Sequence, residues 1–363
     1  MGKLIIHSTL LCVSLIEFIL FVPVCISART SSSSSGKRVP AIIVFGDSSV
    51  DSGNNNFIPT MARSNFEPYG RDFFGGFPTG RFSNGRIPPD FISEAFGLKP
   101  CVPAYLDPAY NISDFAVGVC FASAGTGYDI ATSNVAGVIP LWKEVEYYKE
   151  YQEKLRSHVG TDKANEIIRE ALYLVSAGTN DFLENYYTMP ERQLEFTVEE
   201  YEDFLIGLAD KFLRGLYDLG ARKVSLTGVP PMGCLPLERT INILDNHGCV
   251  EKYNNVALEF NGKLGQLVKK LNKELPGFQL IDANAYDFVL QIITQPSRFG
   301  FEDAGVGCCG TGRFEMGFMC DPNSPFTCPD ANKYVFWDAI HPSAKTSQLV
   351  SNYLIQTHLS QFL

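Results

Sequence analysis

The sequence predicts an α/β fold: a doubly wound, five-stranded parallel sheet flanked by helices, in a single domain. Three observations carry that expectation. Five short apolar runs, near residues 39–45, 117–123, 171–176, 223–227 and 278–282, alternate with segments of helical period. The first three runs end in small and polar residues: Gly46-Asp47-Ser48, Ala124-Gly125-Thr126 and Gly178-Thr179-Asn180. Open parallel sheets gather their ligands at that edge. Finally, complementary chemistry sits at opposite ends of the chain, Ser48 near the start and Asp338 with His341 near the finish. A length of 363 residues would allow one domain or two; a site shared by the two ends requires one, over residues 39–363.

Taken in order, the chain begins with an address. Lys3 precedes an apolar run over residues 4–26, and Ser27 and Ala28 follow. This is the pattern of a secretory signal peptide over residues 1–28, with a polar, serine-rich linker over 29–38. An uncleaved membrane anchor is the rival reading; His7 and Glu17 interrupt the run, and the linker follows it directly, which favours cleavage. Residues 39–45 then read as a buried strand that stops at Gly46. Residues 57–110 are rich in Gly, Pro and Phe and read as loop, with one short helix near 89–96. Their aromatics either line a cleft or pack the loops together, and Arg81 and Arg86 are either structural clamps or substrate contacts.

The second strand, 117–123, runs into Gly125, which serves either a turn needing positive φ or a backbone donor to an oxyanion. Helical period marks residues 141–157 and 162–169. The third strand ends at Asn180, either a helix cap or a side-chain amide donor. A long helix over 198–219 leads to strand four at 223–227. Another over 251–275 stops at Pro276-Gly277 and leads to strand five at 278–282. Helices follow over 285–294 and 343–358, with Gly- and Cys-rich loop over 305–327 between them.

Composition narrows the function. The chain is 45% hydrophobic and 19% charged, an ordinary globular balance. Its net charge is −10, and losing Lys3 and Glu17 with the signal removes one charge of each sign. Basic residues never cluster beyond adjacent pairs, which disfavours nucleic acid and anionic membrane surfaces as partners. No stretch after the signal is long and apolar enough for a stable membrane anchor. Signal cleavage would leave eight cysteines: Cys101, Cys120, Cys234, Cys249, Cys308, Cys309, Cys320 and Cys328. An even count in a secreted chain points to disulfides, with Cys234–Cys249 closing one loop and the cluster at 308–328 stapling another. No Cys-x-x-Cys pair or matching His spacing offers a metal site, and no cofactor motif is present. Asn111-Ile112-Ser113 is a glycosylation sequon if the chain is secreted.

Serine catalysis needs a hydroxyl, a base, a group that orients the base and donors for the oxyanion. Ser48 supplies the hydroxyl. Of the five histidines, His341 is the candidate base, and Asp338 three residues earlier can orient it. A capping Asp beside an unrelated His is the bland alternative. Asp47 reads as a structural residue of the turn. The serine does not sit in the Gly-x-Ser-x-Gly elbow of the α/β-hydrolases, because residue 50 is Val.

With these pieces assembled, the sequence resembles the GDSL-type lipase/esterase family of the SGNH hydrolase superfamily, in its secreted plant branch. The resemblance rests on Phe45-Gly46-Asp47-Ser48-Ser49-Val50-Asp51-Ser52-Gly53-Asn54-Asn55, Phe121-Ala122-Ser123-Ala124-Gly125, Gly178-Thr179-Asn180-Asp181 and Asp338-Ala339-Ile340-His341-Pro342. It implies a flavodoxin-like SGNH hydrolase fold, with Ser48 as nucleophile, His341 as base and Asp338 as its orienter. The Ser48 and Gly125 N–H groups and the Asn180 amide would hold the oxyanion. The implied activity is an extracellular carboxylic-ester hydrolase of the cell wall or apoplast, acting on lipid or other acyl esters through a serine acyl-enzyme, without a cofactor. An acyltransferase using the same residues, or a secreted binding protein without turnover, stays open beside it. Two departures stand out: Ser49 replaces the leucine of the family motif, and Cys120 stands where Asn is expected, which puts one supporting hydrogen bond in doubt.

Overall fold

The computed structural model describes residues 39–363; the expected signal peptide at 1–28 and linker at 29–38 lie outside the described residues. Five strands form one parallel sheet: β1 (Ile42–Gly46), β2 (Gly118–Cys120), β3 (Leu172–Ser176), β4 (Lys223–Thr227) and β5 (Gln279–Asp282). Their spatial order is β2-β1-β3-β4-β5. The chain therefore reverses its winding direction between β1 and β3, and in such sheets the crevice outside that switch point is where ligands bind.

Period two divides the strands between two cores. Ile43, Phe45, Tyr173, Val175, Val224 and Leu226 enter the larger one, while Ile42, Val44, Leu172 and Leu174 enter a second on the other face. Burial on both faces explains why these strands read as continuous apolar runs.

The helices that matter here are α1 (Pro88–Ala95), α2 (Leu141–Val159), α3 (Thr161–Glu170), α4 (Val198–Asp218), α5 (Glu251–Glu274), α6 (Tyr286–Thr294) and α7 (Ala344–Leu354). Tyr148 and Tyr151 of α2, Leu205 and Leu213 of α4, and Phe260 and Leu264 of α5 cover the larger core. Ile92 of α1, with Leu359 and Phe362, covers the second. Start signals are visible at two of them. Thr197 and Glu200 form a reciprocal capping box at α4, and the Ser343 hydroxyl accepts the Thr346 N–H at α7.

Several details depart from the sequence reading. The expected 305–327 loop overlaps a strand, β6 (Asp303–Gly307), which pairs in parallel with β7 (Tyr334–Phe336) as a separate two-stranded sheet. Asp-Ala-Gly-Val-Gly has little β propensity of its own, so pairing rather than local preference makes it a strand. Short helices at Ile130–Ala136, Pro190–Glu195 and Pro236–Ile241 were not expected. The last helix ends its regular course at Leu354 and widens into a π turn over Ile355–Leu359.

Disulfides join Cys234 to Cys249, Cys308 to Cys328 and Cys309 to Cys320. Cys120 is a free, buried thiol that donates to the Val50 carbonyl at 3.3 Å. Asn54 Nδ2 bonds the Cys120 and Ala122 carbonyls at 2.9 and 2.8 Å and also reaches Cys120 Sγ at 4.0 Å. Arg81 is a clamp: its guanidinium makes two 2.8 Å bonds to Asp90 and a third at 2.9 Å to the Val102 carbonyl, all buried.

Candidate active site

The turn after β1 is built from glycine and buried carboxyls. Gly46 holds φ at +133°, and a Cβ there would meet the Ser176 carbonyl oxygen at 1.8 Å. No other residue fits beside β3. Beneath it, Glu144 of α2 accepts the Gly46 N–H at 3.0 Å. Burial drives the Glu144 carboxyl well above its ordinary range. Asp47 accepts the Ser49 N–H and hydroxyl at 3.0 and 2.6 Å, which fits the structural role read from sequence. Asp51 accepts N–H bonds from Gly53 and Asn54, at 2.7 and 2.8 Å, and from Ala124 at 3.1 Å. Burial still lifts its pKa to about 6. The turn is thus pinned from inside, and Ser48 stands partly exposed on top of it.

Ser48 Oγ lies 2.9 Å from His341 Nε2. On the far side of the ring, His341 Nδ1 lies 2.9 and 2.8 Å from the two Asp338 oxygens. Asp338 has no exposure and is held by three further donors: the Ile340 and His341 N–H groups at 2.9 and 2.7 Å and the Tyr69 hydroxyl at 2.7 Å. The bland alternative of a capping Asp beside an unrelated His therefore does not describe this loop. Burial pushes the imidazole pKa down, but the Asp338 charge and hydrogen bond, with Asp47 and Glu184 nearby, outweigh it and raise it. Phe82 packs on the ring with centroids 4.9 Å apart.

Asn180 does not cap the following turn through its side chain. Its Nδ2 donates one hydrogen to the Thr126 carbonyl at 2.9 Å, which leaves the second amide hydrogen free. Asp181 accepts the Tyr128 and Asp129 N–H groups at 2.8 and 3.0 Å, tying the loop after β3 to the loop after β2. Gly125 has φ of +87°, and a Cβ there would meet Ala136 and Val138 at ordinary contact distance. Its requirement for glycine is therefore backbone conformation, not space. Among the described residues, neither the Ser48 nor the Gly125 N–H has a hydrogen-bond partner.

A mostly apolar cavity of about 180 Å³ opens beside these groups, and its wall includes Ser48, Asn180 and His341. Gly125 is not part of that wall. Nor are the loop aromatics between residues 57 and 110; α1, α6 and α7 contribute Ile92, Val289, Ile293, Val350 and Leu354 to it. Sequence reasoning thus reached Ser48, Asn180, Asp338 and His341, which meet here. It missed Tyr69 and the cavity wall. Tyr69 lies in irregular chain and meets Asp338 across 269 positions, so no local pattern marks it. Among the described residues, no cluster of His, Cys, Asp and Glu is arranged to hold a metal ion, and no helix is long and apolar enough to cross a membrane.

Comparison with known proteins adds a family. The model of the family described as GDSL-like lipase/acylhydrolase matches residues 42–354. Among curated proteins, the chain is similar to three GDSL esterase/lipases of Arabidopsis thaliana. At2g42990 is 61% identical over 92% of this chain and 95% of the relative. At2g04570 is 58% identical over 95% and 98%, and At4g26790 is 61% identical over 90% and 93%.

Proposed function

The chain belongs to the GDSL-like lipase/acylhydrolase family, and on that premise we propose that its serine ester hydrolysis runs through an acyl-enzyme on Ser48. The observation that carries this is the unbroken chain of contacts from Ser48 Oγ through both His341 nitrogens to Asp338. With Nδ1–H donating to Asp338, Nε2 bears the lone pair that accepts the Ser48 proton. Ser48 Oγ then bonds the ester carbonyl carbon, and the carbonyl oxygen takes the negative charge. The free Ser48 and Gly125 N–H groups and the spare Asn180 amide hydrogen are the donors assigned to it. His341 returns the proton to the departing alkoxide, which leaves as the alcohol. Water, deprotonated by the same nitrogen, releases the acid and restores the hydroxyl. Tyr69 is a positioning residue that fixes the Asp338 carboxylate.

We further propose that the chain acts outside the cell. The reading of residues 1–28 as a signal peptide supports this. So does Asn111, exposed at a helix start where its Oδ1 accepts the Ser113 N–H and its Nδ2 remains available for a glycan.

The test is hydrolysis of p-nitrophenyl butyrate by wild type and Ser48→Ala. Loss of at least about 10⁴-fold in kcat with an unchanged melting profile is expected. A folded Ser48→Ala protein that retains activity overturns the assignment.

A further inference from the structure

The cavity beside Ser48 exists because of a change of side-chain size along one face of the sheet. Deep in that face, Ile42, Val44, Leu172 and Leu174 fill the layer. Toward the strand ends the same face carries Ser176, Ser225 and Thr227, all on the cavity wall, because residues two apart on a strand share a face. Small hydroxyl side chains stand where aliphatic ones would close the core. Opposite them, α7 contributes Thr346, Ser347, Val350 and Leu354 to the wall. Those positions make one stripe nine residues long, roughly 12 Å at the helical rise.

We propose that this cavity is the acyl subsite of the Ser48 site and takes an unbranched aliphatic acyl chain of about six to eight carbons, by the size comparison that follows. The inference rests on Ser48 being the nucleophile. An apolar cavity of about 150 Å³ admits benzene, with six carbons; this one, at about 180 Å³, admits slightly more. The acyl side of the ester is favoured over the alcohol side by what must happen there. The alcohol has to depart and water has to enter, so that side must face solvent. The acyl group stays bonded to Ser48 throughout, and a mostly carbon wall solvates a chain but not a developing alkoxide. Ser225 and Val350 set the size. The first leaves room by being small, and the second limits it from α7.

The experiment is a series of p-nitrophenyl esters from acetate to palmitate, kept below their micellar concentrations, with wild type, Ser225→Leu and Val350→Ala. Each methylene that enters the cavity should raise kcat/KM roughly three- to fourfold. The wild-type optimum is expected at hexanoate to octanoate, with at least a tenfold fall by laurate. Ser225→Leu fills the void and should lower the octanoate-to-acetate ratio about tenfold or more. Val350→Ala should move the optimum towards longer chains. The two variants push in opposite directions, so either one alone decides if the other fails to fold. A flat profile, an optimum at palmitate, or no shift in a folded variant overturns the subsite. If activity on every ester still vanishes in Ser48→Ala, the nucleophile assignment survives that failure. If Ser48→Ala keeps its activity, both readings fall together.

Discussion

The serine half of the site and the histidine half are held in place by different physics. Ser48 and Asn180 follow β1 and β3, neighbours in the sheet, and the ladder continues past them: the Asp47 N–H donates to the Ser176 carbonyl at 3.0 Å. Buried carboxyls, Asp47, Asp51, Glu144 and Asp181, fix the surrounding loops. The Asp338–His341 loop lies between β7 and α7, outside the main sheet. It leans on a cross-linked segment: the Cys308 and Cys309 N–H groups donate to the Phe336 and Trp337 carbonyls at 3.1 and 2.7 Å, and the Ala339 N–H donates to the Glu315 carbonyl at 2.9 Å. Two disulfides, Cys308–Cys328 and Cys309–Cys320, close that segment. One half is thus exposed to disturbance by protons and the other by thiols.

The contrast is broken most severely on the histidine side. Asp338→Asn keeps the size of the side chain but favours the wrong imidazole tautomer, and should cost about 10⁴-fold in kcat. A loss below tenfold in a folded protein would show that Asp338 does not orient the base. On the serine side, Asn180→Ala removes one of the three proposed oxyanion donors and should cost about 10²–10³-fold in kcat, again with the fold retained. Steady-state kinetics beside circular dichroism compares the two.

Tyr69→Phe sharpens the contrast. The Tyr69 hydroxyl donates to Asp338 and accepts the Gly317 N–H at 2.8 Å, so it couples the disulfide segment to the carboxylate. Deleting the donor should lower kcat about tenfold. It should also move the acid limb of kcat/KM upward, because a less-bonded Asp338 favours the imidazolium more strongly. In wild type that limb is expected above the ordinary histidine value, since Asp338 raises His341. A variant with lower kcat and an unmoved pH limb would reduce Tyr69 to a packing residue.

The smallest effects are on stability. Asp51 and Asp181 have folded pKa values of about 6 and about 7, raised by burial above their unfolded range. The folded protein therefore holds more protons than the unfolded chain between about pH 4 and 7, and their contribution to stability is lost as pH rises through that window. The melting temperature should be higher at pH 5 than at pH 8. Mild reduction should act on the histidine half through Cys308–Cys328 and Cys309–Cys320, and on the segment after β4 through Cys234–Cys249, but not on the β1 turn. It should lower kcat by a few fold and destabilise by about 2–4 kcal/mol per opened loop. Hydrogen exchange would locate both effects; a reductant response centred on the β1 turn would erase the distinction.

The same division governs what the sequence could reveal. The serine half was readable from pattern, because β1 and β3 are continuous apolar runs, Gly46 closes the first and Asn180 follows the second. Lys223–Thr227 was placed residue for residue. The histidine half was readable only as a motif, Asp338-x-x-His341, since nothing periodic surrounds it. Strand β6 was hidden because its glycines and aspartate carry no strand signal, and Tyr69 because its partner is far away in sequence. The cavity was hidden for another reason. Ser225 in a strand reads as a neutral residue until Val350 and Leu354 are seen across from it.

The most direct test of the central claim is covalent. Wild type and His341→Ala would be incubated with a fluorophosphonate, and the modified peptide mapped by mass spectrometry. A single adduct on Ser48 in wild type, formed at least a hundredfold more slowly in His341→Ala, is the predicted result. An adduct on another residue, or none on a folded wild-type protein, would contradict it.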